Sequence, residues 1–274
     1  MKQQVKLLRL VESGLLLAVA AVLSIVKVLD LPYGGSITAF SALPILLVAY
    51  RHGTAWGLFT GFAYSLTQLL LGLNTLSYAT GPAAAVAIIV LDYLLAFTVL
   101  GLGGLFRKTV KEQGKALVLA ALLTGVLRYV CHVIAGCTVW AGLSIPTEAA
   151  LLYSLAYNAT YMLPETLVTM LGAWYFSRAV DIREATPRRA AAVQPLSLPA
   201  TVCSLLSKTA LLAAAVWDIR TVFKPLQDPD TGDFVITNLS LVAWPTVGIV
   251  TVAGIALWLV LWLAQKKLQE KAHS

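Results

Sequence analysis

The segment from Leu127 to Gly142 carries three residues whose types and spacing could bind a ligand. His132, Gly136 and Trp140 follow one another at intervals of four residues. On an α-helix, positions i, i+4 and i+8 stay within about 80° of one another, so the three share a face. That face offers a ring that donates or accepts hydrogen bonds, a gap without a side chain and an aromatic plate. It suits a flat, polar, aromatic ligand. The alternative is structural: a packing histidine, a small-residue helix contact and an interfacial tryptophan.

A lone acid stands in another apolar run. Asp92 is the only acidic residue in the stretch 83–106, and Tyr93 follows it. An acid inside a membrane helix costs roughly 2.5 to 3.5 kcal/mol on insertion scales, so it usually faces the protein interior and has a function. The residues alone leave three interpretations open: a cation ligand, a proton relay, or an internal ion pair with Arg128 or Lys27.

A third polar cluster begins the next apolar run. It contains Tyr153, Tyr157, Asn158 and Tyr161. Asn158 can donate and accept hydrogen bonds at once, which suits the edge of an aminopyrimidine-type ring. Tyr161 is interpreted as a member of the interfacial aromatic belt. Glu165 follows Pro164 inside the same run, and we predict a structural role for it, as a partner of Arg128.

Composition indicates the class of protein that positions these residues. The chain has 274 residues, of which 59% are hydrophobic and 12% charged, and its mean hydropathy is +0.81. A soluble domain carries roughly 25% charged residues. Apolar runs of about 20 residues recur, long enough to cross a bilayer as helices. We therefore predict an all-α, polytopic membrane protein. Its first helix is expected to be retained, since no small-residue cleavage site follows it.

The apolar runs predict eight helices, at about 8–29, 39–50, 54–73, 83–106, 116–140, 149–176, 198–217 and 239–264. They divide the chain into three parts. Residues 1–178 are predicted to form a six-helix membrane domain that carries the candidate ligand residues. Residues 179–197 form a basic cytoplasmic linker. Residues 198–274 form a two-helix membrane extension.

Charge predicts the orientation of these helices. With the N-terminus inside, the inner segments hold fifteen basic residues: Lys2, Lys6, Arg9, Arg51, Arg107, Lys108, Lys111, Lys115, Arg178, Arg183, Arg188, Arg189, Lys266, Lys267 and Lys271. The outer loops hold two, Arg220 and Lys224. Because basic residues concentrate on the cytoplasmic side, both termini are predicted to be cytoplasmic. The same rule explains the formal charge of +7 without invoking nucleic acid.

Several motifs are absent from the sequence. It contains no GxxxxGK[ST] phosphate loop, so the chain cannot use ATP by that route, and no HExxH or GxSxG motif. The cysteines Cys131, Cys137 and Cys203 lie in apolar runs without a CxxC spacing, so neither a metal site nor a disulfide framework is predicted. Gly14 and Ala18 form a small-xxx-small pair on the first helix. Such a pair permits internal packing or the docking of another membrane subunit.

Four stretches, LPYGGSIT with LPILLVAYRHG, LDYLLAFTVLGLGGLFRK, LRYVCHVIAGCTVW and LYSLAYNATYMLPE, span about 9–176. In them the chain resembles the thiamine-specific substrate-binding component (S component) of energy-coupling factor vitamin transporters. The resemblance assigns ligand contacts to Asp92, Tyr93, His132, Gly136, Trp140, Tyr153 and Asn158, with the acid facing the thiazolium. It assigns docking of the shared coupling subunit to Gly14 and Ala18. The chain departs from the family in two places: the acid is often Glu, and some members carry Trp where this chain has Tyr33-Gly34-Gly35.

The resemblance implies a function without a cofactor. The protein would capture thiamine at the outer face of a bacterial cell membrane. It would rely on a membrane coupling subunit and two cytoplasmic ATPase subunits for transport. Three alternatives remain open at this point. The scaffold could bind a thiamine precursor or another cationic, pyrimidine-like ligand; it could be a membrane enzyme using Asp92 and His132 as acid and base; or it could be an assembly subunit.

Overall fold

Helices dominate the computed structural model, which describes residues 2–31, 34–142, 147–184, 186–190, 197–226 and 235–271. Helices are expected in a membrane protein, because backbone polar groups in the bilayer must form hydrogen bonds within their own segment. In chain order we label α1 Lys2–Ile25, α2 Leu43–His52, α3 Thr54–Leu71, α4 Pro82–Thr109, α5 Gln113–Gly142, α6 Thr147–Ala179, α7 Leu198–Leu226 and α8 Trp244–Lys271. The all-α, polytopic membrane fold is confirmed.

Five of the described helices are long and apolar enough to cross a membrane. They are Lys6–Ile25 in α1, all of α4, Gln113–Val139 in α5, and all of α7 and α8. The second helix differs from these, because its ten residues are too short to span the hydrocarbon core. It is instead enclosed by protein, since every residue from Leu43 to Arg51 is buried. Its Ile45 and Leu46 share a hydrophobic core cluster with Tyr64 of α3.

A short hairpin follows α1. Strand β1, Lys27–Asp30, pairs antiparallel with β2, Ser36–Thr38. The first helix therefore ends at Ile25, and its predicted extension to residue 29 is wrong. The physical reason is that the backbone of this segment is bonded to a second strand and no longer to its own helix. The hairpin closes with a bond from the Leu31 N–H to the Gly35 carbonyl, 2.8 Å long.

Helix α4 is irregular where the sequence predicts its functional residues. Its first turns are α-helical, residues Ile88–Leu95 are a π-helix, and Val99–Leu105 are a 3₁₀-helix. The π-helical segment contains Asp92, and such wide turns recur at functional sites. The 3₁₀ segment packs closely on α3. A Cβ atom added at Gly101 would lie 2.1 Å from the Leu58 backbone nitrogen, so this crossing requires glycine.

The chain divides into two compact units, Met1–Ala191 and Ala192–Ser274. The division falls within the predicted linker 179–197, whose first part belongs to the first unit. There, β3 (Val180–Asp181) pairs with β4 (Arg188–Arg189), and Ile182 is 4% exposed. Arg51 donates hydrogen bonds to the carbonyls of Ile182 and Glu184 at 3.0 and 3.1 Å. The three-part domain assignment itself stays a prediction.

The second unit is an antiparallel pair of helices, α7 and α8. Small residues bring them together: a Cβ atom added at Gly254 would lie 2.6 Å from the Ala214 Cβ atom. The Thr251 hydroxyl donates to the Asp218 carboxylate at 2.6 Å. Close small-residue packing with one interhelical hydrogen bond is typical of helix association in membranes.

Candidate functional site

The first unit contains a partly open cavity of about 440 Å³. This volume is in the range of small-molecule sites. Its described walls come from the β1–β2 hairpin, the end of α3, the 3₁₀ turn Leu73–Tyr78, and the helices α4, α5 and α6. Polar, charged and aromatic side chains all line it, so it offers both orientation and packing to a ligand.

Five of the predicted ligand residues line this cavity: Asp92, Tyr93, His132, Gly136 and Asn158. They lie on three different helices, separated by up to 66 positions along the chain. The helical face predicted on α5 is present for His132 and Gly136, and Arg128 continues it by one further turn. Lining a cavity brings these residues together; their contact with a ligand stays a prediction.

Asp92 and His132 form the most direct polar contact in the cavity wall. The His132 Nδ1 atom lies 2.8 Å from the Asp92 Oδ1 atom. The His132 side chain is 10% exposed and the Asp92 side chain is 27% exposed. Between a histidine and an ionised carboxylate, the imidazole N–H donates and the carboxylate oxygen accepts. The structure pairs Asp92 with His132, whereas Arg128, one of the partners considered from the sequence, is paired with Glu165. The role of Asp92 towards a ligand stays a prediction.

Tyr93 is fixed by the turn that follows α3. Its hydroxyl donates to the Gly72 carbonyl at 3.0 Å and lies 2.8 Å from the Thr75 hydroxyl. A Cβ atom at Gly72 would lie 2.1 Å from the Tyr93 oxygen, so the close approach depends on this glycine. The Tyr93 ring stacks on Phe97 at a centroid distance of 6.4 Å. Because the hydroxyl is held by protein atoms, the ring is the part of Tyr93 best placed to serve a ligand.

Gly136 and Asn158 meet where α5 crosses α6. A Cβ atom at Gly136 would lie 2.4 Å from the Ser154 hydroxyl oxygen, so the small-residue contact considered from the sequence exists here. The Asn158 amide nitrogen donates to the Ser154 carbonyl at 2.8 Å and to the His132 carbonyl at 3.3 Å. Its Oδ1 atom accepts from the Tyr161 hydroxyl at 2.5 Å. The Asn158 oxygen thus retains one lone pair that can accept a further hydrogen bond.

Two predicted ligand residues are not brought into the wall described here. Tyr153 is 4% exposed and lies behind Tyr157, with the two rings stacked at a centroid distance of 6.5 Å. It is Tyr157 that lines the cavity, one turn along the same face. The backbone of Trp140 belongs to α5, but its side chain lies outside the described residues. Its assignment as the aromatic plate stays a prediction, as does any role for Tyr33, which also lies outside them.

The cavity also includes residues that the sequence did not single out as ligand contacts. Tyr157 and Tyr161 both line it. The interpretation of Tyr161 as an interfacial residue is wrong, because its ring is buried beside His132, with centroids 6.0 Å apart. The sequence contained a signal for this placement, because Asn158, Tyr161 and Glu165 follow the i, i+3, i+7 spacing of one helical face.

A buried ion pair forms another part of the wall. The Arg128 Nη1 atom lies 3.3 Å from the Glu165 Oε1 atom, as the sequence predicts. The Thr38 hydroxyl of β2 donates to the same carboxylate oxygen at 3.3 Å. The Arg128 guanidinium lies over the Phe97 ring, 4.8 Å from its centroid. These contacts connect the hairpin to α5 and α6 and neutralise Glu165 within the wall.

The predicted docking pair lies away from the cavity. Gly14 and Ala18 are exposed on α1. A Cβ atom added at Gly14 would meet no atom of the described chain within 4 Å. No contact in the described part of the first unit therefore supports internal packing as the role of Gly14. Elsewhere in the described residues, the three cysteines are unpaired and no group of three metal-ligating side chains occurs.

Comparisons with known proteins identify relatives of this chain. The family model described as "Thiamine transporter protein" matches residues 10–181. A protein named thiamine transporter ThiT from Bacillus subtilis (strain 168) is 35% identical over 179 residues, which are 61% of this chain and 89% of that protein. A ThiT from Lacticaseibacillus paracasei is 26% identical over 190 residues, or 62% of this chain and 87% of the relative. A solved structure of ThiT from Listeria monocytogenes matches with a TM-score of 0.51 and 26% identity, over 63% of this chain and 94% of that one.

Proposed function

The chain belongs to the thiamine transporter protein family, and on that premise we propose that it binds thiamine in the cavity of its first unit. It would act as the S component of an energy-coupling factor importer, capturing the vitamin at the outer face. Its role is transport and not an enzymatic one, as the names of its relatives indicate. The Asp92–His132 distance satisfies the geometry of an acid–base pair, but that contact also serves the binding of a cation.

One observation carries the proposal. A 440 Å³ cavity in the family-matched region holds a carboxylate, an imidazole and an amide oxygen among aromatic rings. Thiamine is a flat cation with a hydrogen-bonding pyrimidine. Asp92 supplies the opposite charge for the thiazolium, and Tyr93 supplies a ring face. Asn158 supplies an acceptor for the edge of the pyrimidine.

The remaining predicted contacts complete the proposed site. Trp140 stacks on the ligand, since a cation over a tryptophan ring gains about 2 kcal/mol when it is desolvated. Gly136 leaves room for the ligand at the α5–α6 crossing. Tyr153 acts through Tyr157, on which its ring stacks.

Transport would require partners. Gly14 and Ala18 on the exposed face of α1 would contact the membrane coupling subunit, because small residues permit close helix approach. Two cytoplasmic ATPase subunits would supply the energy.

Both termini would be cytoplasmic, because fifteen basic residues fall on that side in the eight-helix arrangement. A cysteine introduced at Gln227, which lies outside the described residues, should be labelled from outside intact cells. Labelling only after permeabilisation would reject this orientation.

Titration of the purified protein with thiamine, followed by tryptophan fluorescence or calorimetry, tests the binding function. Saturable one-to-one binding is expected. A thiamine precursor lacking the thiazolium should bind more weakly, because Asp92 then has no cation to neutralise. Tighter binding of a precursor or of another cationic pyrimidine-like compound than of thiamine would support the second candidate, in which that compound is the ligand. Absence of saturable binding of any of them rejects the proposal.

A further inference from the structure

We propose that Tyr157 is a positioning residue for ligand binding. Its hydroxyl holds the β1–β2 hairpin, through the Gly35 N–H, in the place where this hairpin forms one wall of the cavity. The inference rests on the proposed function and deepens it, because it names a residue that prepares the site before the ligand arrives. Tyr157 is neither one of the predicted ligand contacts nor a member of the charged pairs of the wall.

The hairpin supplies one side of the cavity. Gly34, Gly35, Ser36 and Thr38 line it, and so does Lys27 at the start of β1. A ligand that fills the cavity therefore meets the hairpin, and its affinity depends on where the hairpin lies. A site whose wall is already in place binds more tightly, because none of the binding free energy is used to order that wall.

Apolar packing holds mainly one strand of the hairpin. Ile37 of β2 is buried, whereas Val28 and Leu29 of β1 are exposed. A two-stranded hairpin on its own is marginally stable in water, so contacts with the rest of the first unit must hold this one in place. The polar contacts between the hairpin and α6 are therefore important for the position of this wall.

Tyr157 makes the polar contact at the turn of the hairpin. The Gly35 N–H donates to the Tyr157 hydroxyl oxygen at 3.0 Å, and both residues are buried. The Gly35 carbonyl accepts from the Leu31 N–H at 2.8 Å, so both backbone polar groups of Gly35 are hydrogen-bonded. A buried N–H without a partner costs about as much as a lost hydrogen bond. The bond to Tyr157 therefore favours the position in which the turn lies against α6.

A second bond to the same helix aligns β2. The Thr38 hydroxyl donates to the Glu165 carboxylate at 3.3 Å. Positions 157 and 165 are eight residues apart, or about 12 Å along an α-helix. Positions 35 and 38 are three residues apart, or about 10 Å along a strand. The two lengths are similar, so β2 lies along α6 between these bonds. Because Glu165 also pairs with Arg128, Tyr157 is the contact that can be altered without breaking an ion pair.

The close approach of the turn to α6 requires glycine at position 35. A Cβ atom there would lie 2.7 Å from the Tyr157 hydroxyl oxygen and 2.8 Å from the Tyr161 Cδ1 atom. Both rings are constrained, because Tyr157 stacks on Tyr153 and the Tyr161 hydroxyl donates to Asn158. An added methyl group must therefore move the hairpin away from α6. Gly35→Ala thus breaks the same contact from the other side.

Calorimetric titration of the purified full-length protein with thiamine tests the inference. Tyr157→Phe keeps the ring and removes only the hydroxyl, so the hairpin spends less time in the position that binds. The Kd should rise about 2- to 10-fold, the factor that corresponds to the net contribution of one hydrogen bond. Tyr129→Phe is the matched control, because the Tyr129 hydroxyl also donates to a backbone carbonyl, that of Leu155 at 2.9 Å, but outside the described cavity wall. Its Kd should stay within about twofold of the parent value, less than the loss of one such bond.

Two further measurements separate positioning from direct contact between the Tyr157 hydroxyl and the ligand. Gly35→Ala should weaken binding although Tyr157 is intact. Gly35→Ala combined with Tyr157→Phe should bind no more weakly than Gly35→Ala alone, because the shared bond is already broken. Hydrogen exchange of the ligand-free proteins reports the hairpin itself: the amides of residues 35–38 should exchange faster in Tyr157→Phe than in the parent or in Tyr129→Phe.

The outcomes separate this inference from the proposed function. Thiamine binding that is unchanged in Tyr157→Phe overturns the inference and leaves the proposed function intact. Independent losses that multiply in the double variant also overturn it, because the hydroxyl would then serve the ligand directly. Absence of thiamine binding by the parent protein rejects the proposed function, and this inference with it. If Tyr157→Phe does not fold, Gly35→Ala decides: weaker binding with faster exchange of residues 35–38 supports the inference, and unchanged binding overturns it.

Discussion

Arg128 on α5 and Glu165 on α6 form an ion pair inside the first unit, with 3.3 Å between Nη1 and Oε1. Their side chains are 7% and 5% exposed. The pair neutralises the second acid of the cavity wall and leaves Asp92 with His132. Two acids in one wall thus have two different partners.

Removal of one member of the Arg128–Glu165 pair should destabilise the protein. We expect Arg128→Met to cost about 3 to 5 kcal/mol, because it leaves a buried carboxylate without compensation. Arg128→Met combined with Glu165→Met should cost much less than the sum of the two single changes. Thermal or denaturant unfolding of the purified variants measures this coupling. Additive effects of the two changes would show that the pair does not act as a unit.

Asp92→Asn should weaken thiamine binding by roughly 2 to 5 kcal/mol, the range for truncating one partner of a buried charge pair. The substitution keeps the shape of the side chain and removes its charge. An analogue whose thiazolium is replaced by an uncharged ring should lose far less from the same change. Equal losses for both ligands, measured by calorimetry, would mean that Asp92 holds the structure through His132. Asp92→Glu should be tolerated.

Trp140→Ala should weaken thiamine binding by about 1 to 3 kcal/mol, because it removes a desolvated stacking partner of a cation. Trp140→Phe should retain much of the affinity, since the phenyl ring still offers an aromatic face. Fluorescence titration is informative here, because Trp140 would itself report the ligand. Undiminished quenching in Trp140→Ala would exclude it as the stacking residue.

A tryptophan at Gly14 or Ala18 should block assembly with the coupling subunit and abolish uptake, while thiamine binding stays nearly unchanged. Both positions are exposed, and a Cβ atom added at Gly14 would meet no described atom within 4 Å. Co-purification of the subunits and radiolabelled uptake measure the first effect, and fluorescence titration measures the second. Gly57→Trp is a contrasting variant: a Cβ atom there would lie 2.6 Å from the Ala49 Cβ atom, so it should disrupt the fold and lose both functions. Parallel loss of binding and assembly in the α1 variants would instead assign them to internal packing.

The sequence by itself determined the membrane class, the order of the helices α1 to α8, and five of the residues that line the cavity. It could do so because hydrophobic runs of membrane length and a lone acid within one of them are local features with strong energetic causes. The i, i+4 spacing likewise placed His132 and Gly136 on one face, since helical geometry is fixed.

Only the tertiary structure decided which polar residues are partners. Asp92 and His132 are 40 positions apart, and the pairing of Asp92 with His132, while Arg128 pairs with Glu165, depends on how α4, α5 and α6 pack. The same packing placed Tyr157 in the cavity wall with Tyr153 behind it, because a helix face is selected by its neighbours and not by its own spacing. The hairpin that ends α1 at Ile25 also depends on tertiary contacts. Its first strand is held by hydrogen bonds to a second strand, and the residue pattern of α1 alone does not reveal them.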